Sequence, residues 1–311
     1  MSMIASQNDM AHRTMRVELA PHDLFQLATV SRYFGDWATL GPSSLDIVLP
    51  FPVEGWQTSA AVVLRQEGER TIVGEIYGTG ENTDNTDKAW QQALATLSLD
   101  GDASNWTELG QRDPVIGHLQ NAYSFLRPVL FYSPYEAAAN FIIGHRISMK
   151  QTRAIRQDMA EQIGEHIAVG ETIFHAFPRP QVLHELSSFK GVNAEKIQRL
   201  HSIAHAALDG LLDRTYLRSL PVEQALEKLC SLPGIGAFFS QGILLRGAGL
   251  WDEVTDDDVT KEAVQLAYKL PQRPNQKTVL EIAETWRPYR MWANVLLHVW
   301  LRREMGGPHR R

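Results

Sequence analysis

The sequence predicts an α+β protein in two parts: an antiparallel β-sheet with covering helices over residues 1–115, then an all-helical part over 116–311. Three observations carry this. Short β-rich runs cluster before residue 80, helix-spaced apolar positions separated by Gly or Pro follow residue 130, and charge divides between the two parts. Residues 1–115 hold 16 Asp/Glu against 7 Lys/Arg, whereas 116–311 hold 20 against 23, so the net charge of -6 hides a basic second part. A length of 311 residues suits two domains.

In chain order, 22–33 reads as a helix and 44–51, 60–65 and 71–77 as strands. The connection 66–70 is short and turn-forming, so the last two strands make an antiparallel hairpin. A second helix over 88–99 covers the sheet, and the polar, turn-rich run from Ser98 to Asn105 sets the linker at about 100–115. Ser133-Pro-Tyr-Glu136 is a capping box with Pro at the first helical position, opening a helix over 137–148. Helices follow over 149–164, 194–209, 222–230, 237–247, 259–269, 276–286 and 289–304.

Composition bounds the function. With 44% hydrophobic and 21% charged residues the chain reads as an ordinary globular protein. A lone cysteine, Cys230, forms no internal disulfide and supplies no four-thiolate zinc or iron-sulfur site, so a reducing, cytoplasmic setting is expected. The apolar stretch 293–301 is too short to cross a bilayer and contains His298, and 1–13 lacks the pattern of a signal peptide. His175, His184, His201 and His205 make no convincing metal set, since the two that share a helix face lack an accompanying glutamate or third ligand.

The most informative segment is Leu232-Pro233-Gly234-Ile235-Gly236, between two predicted helices. Glycines one residue apart let the chain turn sharply and a ligand approach the backbone. At a helix start, unpartnered N–H groups and the dipole favour an anion such as a DNA phosphate. A tight turn between packed helices with no ligand is the plain alternative. Downstream, Asp256, Asp257 and Asp258 precede the helix over 259–269. They read as a solvated N-cap, or as a carboxylate kept ionised beside a sugar whose glycosidic bond breaks.

Together, the 232–241 segment, Leu244-Leu-Arg-Gly247, the aspartates ending at Asp258, Trp286-Arg-Pro-Tyr-Arg290 and Leu296-Leu-His-Val-Trp300 resemble the helix-hairpin-helix DNA glycosylases, closest to the 3-methyladenine DNA glycosylase II branch. Tyr135 to Ser148 is similar to that branch's first helix and wedge loop, and 174–180 to its mid-domain turn; the likeness spans about 116–304. The resemblance implies an all-α glycosylase domain, damaged double-stranded DNA as partner, a base flipped into a pocket, and Asp258 as the catalytic carboxylate with Asp257 assisting. It implies Phe238 and Trp300 as pocket walls for a cationic alkylated purine, with a core role the alternative for each. Pro233, Gly234, Ile235 and Gly236 then face DNA, and His145 and Arg146 stand where the branch places glutamine and an apolar wedge, although a buried histidine and a surface arginine are the alternatives. Arg290 is expected at an interdomain or phosphate contact.

Two departures bear on mechanism. Lyase members carry a lysine two residues after the hairpin's second glycine; this chain has Phe238, which implies a monofunctional enzyme. Gly242 and Val259 stand where some relatives have aromatics, which implies a wider pocket. No organic cofactor is implied; a monovalent cation at the hairpin and a monomeric state are. Two other readings stay open: a glycosylase for deaminated or oxidised bases, and a non-catalytic lesion binder.

Overall fold

The computed structural model describes residues 12–20, 23–34, 37–41 and 44–304. The elements run β1 (Arg13–Glu18), α1 (Leu27–Phe34), β2 (Ala38–Thr39), β3 (Ile47–Pro52), β4 (Ser59–Glu67), β5 (Thr71–Tyr77), α2 (Thr83–Thr96), α3 (Trp106–Arg112), α4 (Pro114–Ala122), α5 (Pro134–Gly144) and α6 (Met149–Ile163). They continue with β6 (His166–Val169), β7 (Thr172–His175), α7 (Pro180–His184), α8 (Ala194–Leu208), α9 (Arg214–Ser219), α10 (Val222–Cys230), α11 (Ala237–Gly242), a π-helical turn (Ile243–Ala248), α12 (Asp258–Ala267), α13 (Gln276–Ala283), a 3-10 turn (Glu284–Trp286) and α14 (Arg290–Glu304).

The first strands form a five-stranded antiparallel sheet in the order β1-β5-β4-β3-β2, with Glu67 paired to Thr71 at the expected hairpin. One face packs Leu49, Val62, Leu64 and Ile76 against Leu27 and Val30 of α1 and Trp90 and Leu94 of α2. The other face buries Val48, Ala61 and Val63 under Ile167, Val169 and Phe174 of the β6–β7 hairpin. Covering both faces is why β3 and β4 are nearly continuous apolar runs rather than alternating ones.

That hairpin corrects the all-α expectation for the second part. Its strands are four residues each, too short to show a pattern, and their partner is a sheet far earlier in the chain. The linker expected at about 100–115 is also corrected. It contains α3 and the start of α4, where Asp113 caps α4 by accepting from the Val115 and Ile116 amides and Pro114 takes the first helical position. Leu109, Ile116 and Leu119 pack with Val264, Trp286, Trp292 and Leu296 in one core. The predicted helix over 22–33 begins at Leu27, and His22 lies outside the described residues.

A third core joins α5, α8, α10 and the π-helical turn. Trp56, from the loop between β3 and β4, is buried in it, donates Nε1–H to the Ala207 carbonyl at 2.9 Å and packs edge-on against Tyr135. Arg179 donates to the carbonyls of Trp56 and Gln57. These contacts hold the sheet against the helices, leaving a cleft between Trp37, Ala38 and Pro50 on one side and α5 and α6 on the other.

Candidate active site

The Pro-Gly-Ile-Gly segment is a hairpin between α10 and α11. Gly234 has φ +84, and a Cβ on it would lie 2.6 Å from Arg199 Cδ, so a larger residue would strain the backbone and have to displace the Arg199 side chain. Ile235, expected to face DNA, is instead the anchor: its side chain is buried between the helices and its N–H donates to the Leu232 carbonyl at 3.0 Å. Pro233, Gly234 and Gly236 are exposed, and nothing lies within 4 Å of where a Gly236 Cβ would be. Gly236 caps α11 in extended conformation with no side-chain bond, so the first amides of the helix face outward. Cys230 Sγ lies 3.3 Å from Ser240 Oγ and ties the two helices together.

The aspartates sit at the start of α12. Asp257 is its N-cap, with Oδ1 accepting from the Thr260 amide at 2.7 Å and Oδ2 from the Thr260 hydroxyl at 3.1 Å. Burial raises the Asp257 pKa, but hydrogen bonds from Thr255 and Thr260 and the nearby His298 outweigh it, so the net shift is downward. Asp258, the first residue of α12, has a side chain 85% exposed with Arg273 Nη2 3.5 Å from Oδ1. Asp256 pairs with Lys261 at 2.5 Å, and its N–H points at Gln241 Oε1 of α11, 3.4 Å away. The start of α12 is thereby set beside the hairpin helix.

Beneath these carboxylates is a buried polar network that sequence reasoning missed. Thr260 Oγ1 lies 2.9 Å from Thr255 Oγ1, 3.2 Å from Asn294 Oδ1 and 2.9 Å from His298 Nε2, and Asn294 Nδ2 donates to Thr255 at 3.0 Å. Burial pushes His298 down to about 4, against the pull of Asp257, so the ring is neutral at pH 7. Asn294 and His298 are four residues apart on one face of α14, a spacing that signalled a polar stripe in an apolar helix.

The loop expected to carry the wedge joins α5 to α6. Gly144 ends α5, His145 caps it and Arg146 is exposed at φ +60, a left-handed conformation that costs a residue with a Cβ. Ser148 and Gln151 then form a reciprocal capping box for α6. The His145 ring meets Phe239 of α11 edge-on at 6.0 Å, and at the end of α5 the Ile143 carbonyl accepts from Lys196 Nζ of α8 at 2.7 Å.

The aromatic residues are distributed differently from expectation. Phe238 is 60% exposed, and Trp300 is half-buried against the core of α12–α14. Neither lines the cleft cavity of about 900 Å³, whose wall near the hairpin is Phe239 stacked on Phe141 at 5.0 Å. Phe141 also overturns the expectation that Gly242 widens the pocket. Its Cζ lies 2.5 Å from where a Gly242 Cβ would be, so a ring from α5 fills the space an aromatic at 242 would take. Arg290, expected at an interdomain or phosphate contact, is buried and holds Asp252 and Glu253 at 2.9 Å each, fixing the start of α14. Among the described residues no group of three or more metal-binding side chains converges, and no helix is long and apolar enough to cross a membrane.

Comparison with known proteins agrees with this arrangement. A structure of the 3-methyladenine DNA glycosylase of Archaeoglobus fulgidus superposes with a TM-score of 0.72 at 23% identity, covering 92% of this chain and 97% of that one. This chain has the helix-hairpin-helix glycosylase fold. The 8-oxoguanine glycosylase/lyase of Clostridium acetobutylicum bound to double-stranded DNA shares the fold at a TM-score of 0.58, with 19% identity over 79% of this chain and 84% of that one. In sequence, the chain is similar to the 3-methyladenine branch. It is 29% identical over 192 residues to DNA-3-methyladenine glycosylase 2 of Escherichia coli, covering 60% of this chain and 63% of that protein. It is 21% identical over 207 residues to the DNA-3-methyladenine glycosylase of Bacillus subtilis, covering 65% and 68%. The match spans just under two thirds of the Escherichia coli relative's length. No protein-family model matches the chain.

Proposed function

We propose that this protein is a monofunctional DNA glycosylase that hydrolyses the N-glycosidic bond of an alkylated purine in duplex DNA, leaving an abasic site. The observation that carries the reading is Asp258. It is an exposed carboxylate on the first residue of α12, held beside the hairpin helix by the Asp256–Gln241 contact. The relatives named 3-methyladenine glycosylases support the substrate class.

In this mechanism the exposed Gly234 and Gly236 amides and those at the start of α11 take a phosphate of the backbone, which needs no basic side chain and tolerates a net charge of -6. Arg146, with His145 behind it, fills the gap left by the flipped base. As the glycosidic bond breaks, its electron pair leaves with the base and positive charge develops on the sugar, which the Asp258 carboxylate stabilises. Water then adds to the sugar and gives up a proton to the Asp258 carboxylate, which passes it to solvent. An alkylated purine already carries positive charge and departs without strong acid assistance. Asp257 is the positioning residue, since its oxygens are committed to Thr260. A monovalent cation at the hairpin would be held by backbone carbonyls such as that of Leu232, whose oxygen accepts one N–H and keeps a second lone pair, and would supply positive charge to offset that of a bound phosphate.

Phe238 in place of an amine nucleophile means that no covalent imine with the sugar forms at that position. The test is incubation with methylated duplex DNA, measuring free base and strand nicking together. Free base without nicking is expected; nicking coupled to release would refute the monofunctional assignment, and tight binding without release would favour a lesion binder.

A further inference from the structure

The cleft cavity of about 900 Å³ contains a buried polar floor that the mechanism above does not use. Glu136, on the first turn of α5, is 1% exposed, and its Oε2 accepts from Arg156 Nη2 of α6 at 2.7 Å. Its other oxygen, Oε1, is buried without a hydrogen-bond partner, as is Arg156 Nε. Sequence reasoning gave Glu136 the reciprocal role in a capping box. Ser133 does accept from the Glu136 amide, but the carboxylate turns instead to Arg156 and the cavity. A buried carboxylate oxygen left unpaired costs on the order of 1–3 kcal/mol, so its presence in a cavity wall calls for a donor.

The walls are flat and apolar. Phe141 and Phe239 are stacked near the hairpin, and Arg156 itself lies over Phe177, its guanidinium 5.3 Å from the ring centre. The volume falls within the ~300–1,000 Å³ of small-molecule pockets and exceeds what one base needs. The rim runs along Gly144, Ile147 and Met149 of the wedge loop, where a base leaving the duplex would enter. α11 ties the cavity to the chemistry, because Phe239 lines the cavity and Gln241, two residues on, meets the Asp256 amide.

Resting on the glycosylase reading, we propose that this cavity receives the flipped base and that Glu136 Oε1 accepts a hydrogen bond from the exocyclic amine of an alkylated adenine. Carboxylates read amino groups on bases in this way elsewhere, and the stacked rings hold the flat cation. Burial pushes the Glu136 carboxyl up to about 7 against the pull of Arg156, and a cationic base in the cavity favours its ionised form.

The test is binding of two free bases, 3-methyladenine and 3-methylpurine, which is the same ring without the amine, to wild type and Glu136→Gln by calorimetry. Wild type is expected to prefer the amine-bearing base about tenfold or more. In Glu136→Gln the amide oxygen serves Arg156 and the NH2 group faces the cavity, so the preference should vanish. An equal preference in both proteins, or no binding to wild type, overturns the proposal. The readout needs no turnover: if wild type releases no base from DNA yet shows this pattern, the glycosylase reading fails and the pocket stands. Should Glu136→Gln not fold, Asn140→Phe, which adds bulk inside the cavity and removes the long Arg156 Nη1–Asn140 Oδ1 contact of 3.5 Å while leaving the Arg156 Nη2–Glu136 Oε2 bond, decides the matter. Lost binding of 3-methyladenine at an unchanged melting temperature supports the pocket, and unchanged binding overturns it.

Discussion

His298 makes stability depend on pH in a way that can be isolated. Its folded pKa, depressed to about 4, lies below the unfolded value of 6.5, so the unfolded chain binds the extra proton first as pH falls. The stabilisation is therefore fully present above pH 6.5 and is lost as pH drops toward 4. Between pH 7 and 4.5 the shift amounts to about 2.5 kcal/mol. Glu136 and Glu54, each raised to about 7 chiefly by burial, work in the opposite direction over this range, so wild type alone would mislead. Comparison with His298→Gln removes them. Urea midpoints at pH 7 and 4.5 should show wild type losing about 2 kcal/mol more than the variant across the interval. Parallel losses in the two proteins would mean that the ring protonates freely in the folded state, and the buried Thr255–Thr260–Asn294–His298 network would be wrong.

Three further outcomes follow from the same geometry. Asp257→Ala removes the α12 cap and should cost about 1 kcal/mol in chemical denaturation, and more because the Thr260 hydroxyl loses an acceptor; no change would remove Asp257 as a positioning residue. Gly234→Ala forces a Cβ into φ +84 against Arg199 and should cost at least ~1 kcal/mol of stability, with weakened binding to duplex DNA by fluorescence anisotropy; unaltered binding would remove the hairpin from the DNA contact. Gly242→Ala must displace Phe141, so it should weaken binding of free 3-methyladenine while leaving affinity for undamaged duplex unchanged.

The hairpin was legible because its demand is local: two glycines one residue apart, after a proline, are written in consecutive residues, whereas the burial of Ile235 depends on the helices packed around it. The sheet hairpin and most helices were legible for the same reason, through periodicity and caps. α4 carried its own signal, Asp113-Pro114, but that signal fell inside a stretch read as linker. What escaped depends on contacts between distant residues. The β6–β7 strands are defined by the sheet they cover, and the Thr260–His298 contact joins residues 38 apart. Phe141 substitutes for an aromatic at 242 from another helix, which spacing along one segment cannot reveal. Glu136 fits a capping box by sequence, yet its carboxylate is claimed by an arginine 20 residues later.

The measurement that bears most directly on the central assignment is single-turnover release of 3-methyladenine from methylated duplex DNA by wild type, Asp258→Asn and Asp257→Asn. Asp258→Asn should lose release by at least about 100-fold with duplex binding kept, while Asp257→Asn, which retains an acceptor for Thr260, loses far less. Full release by Asp258→Asn, or a larger loss at Asp257 than at Asp258, would contradict the account.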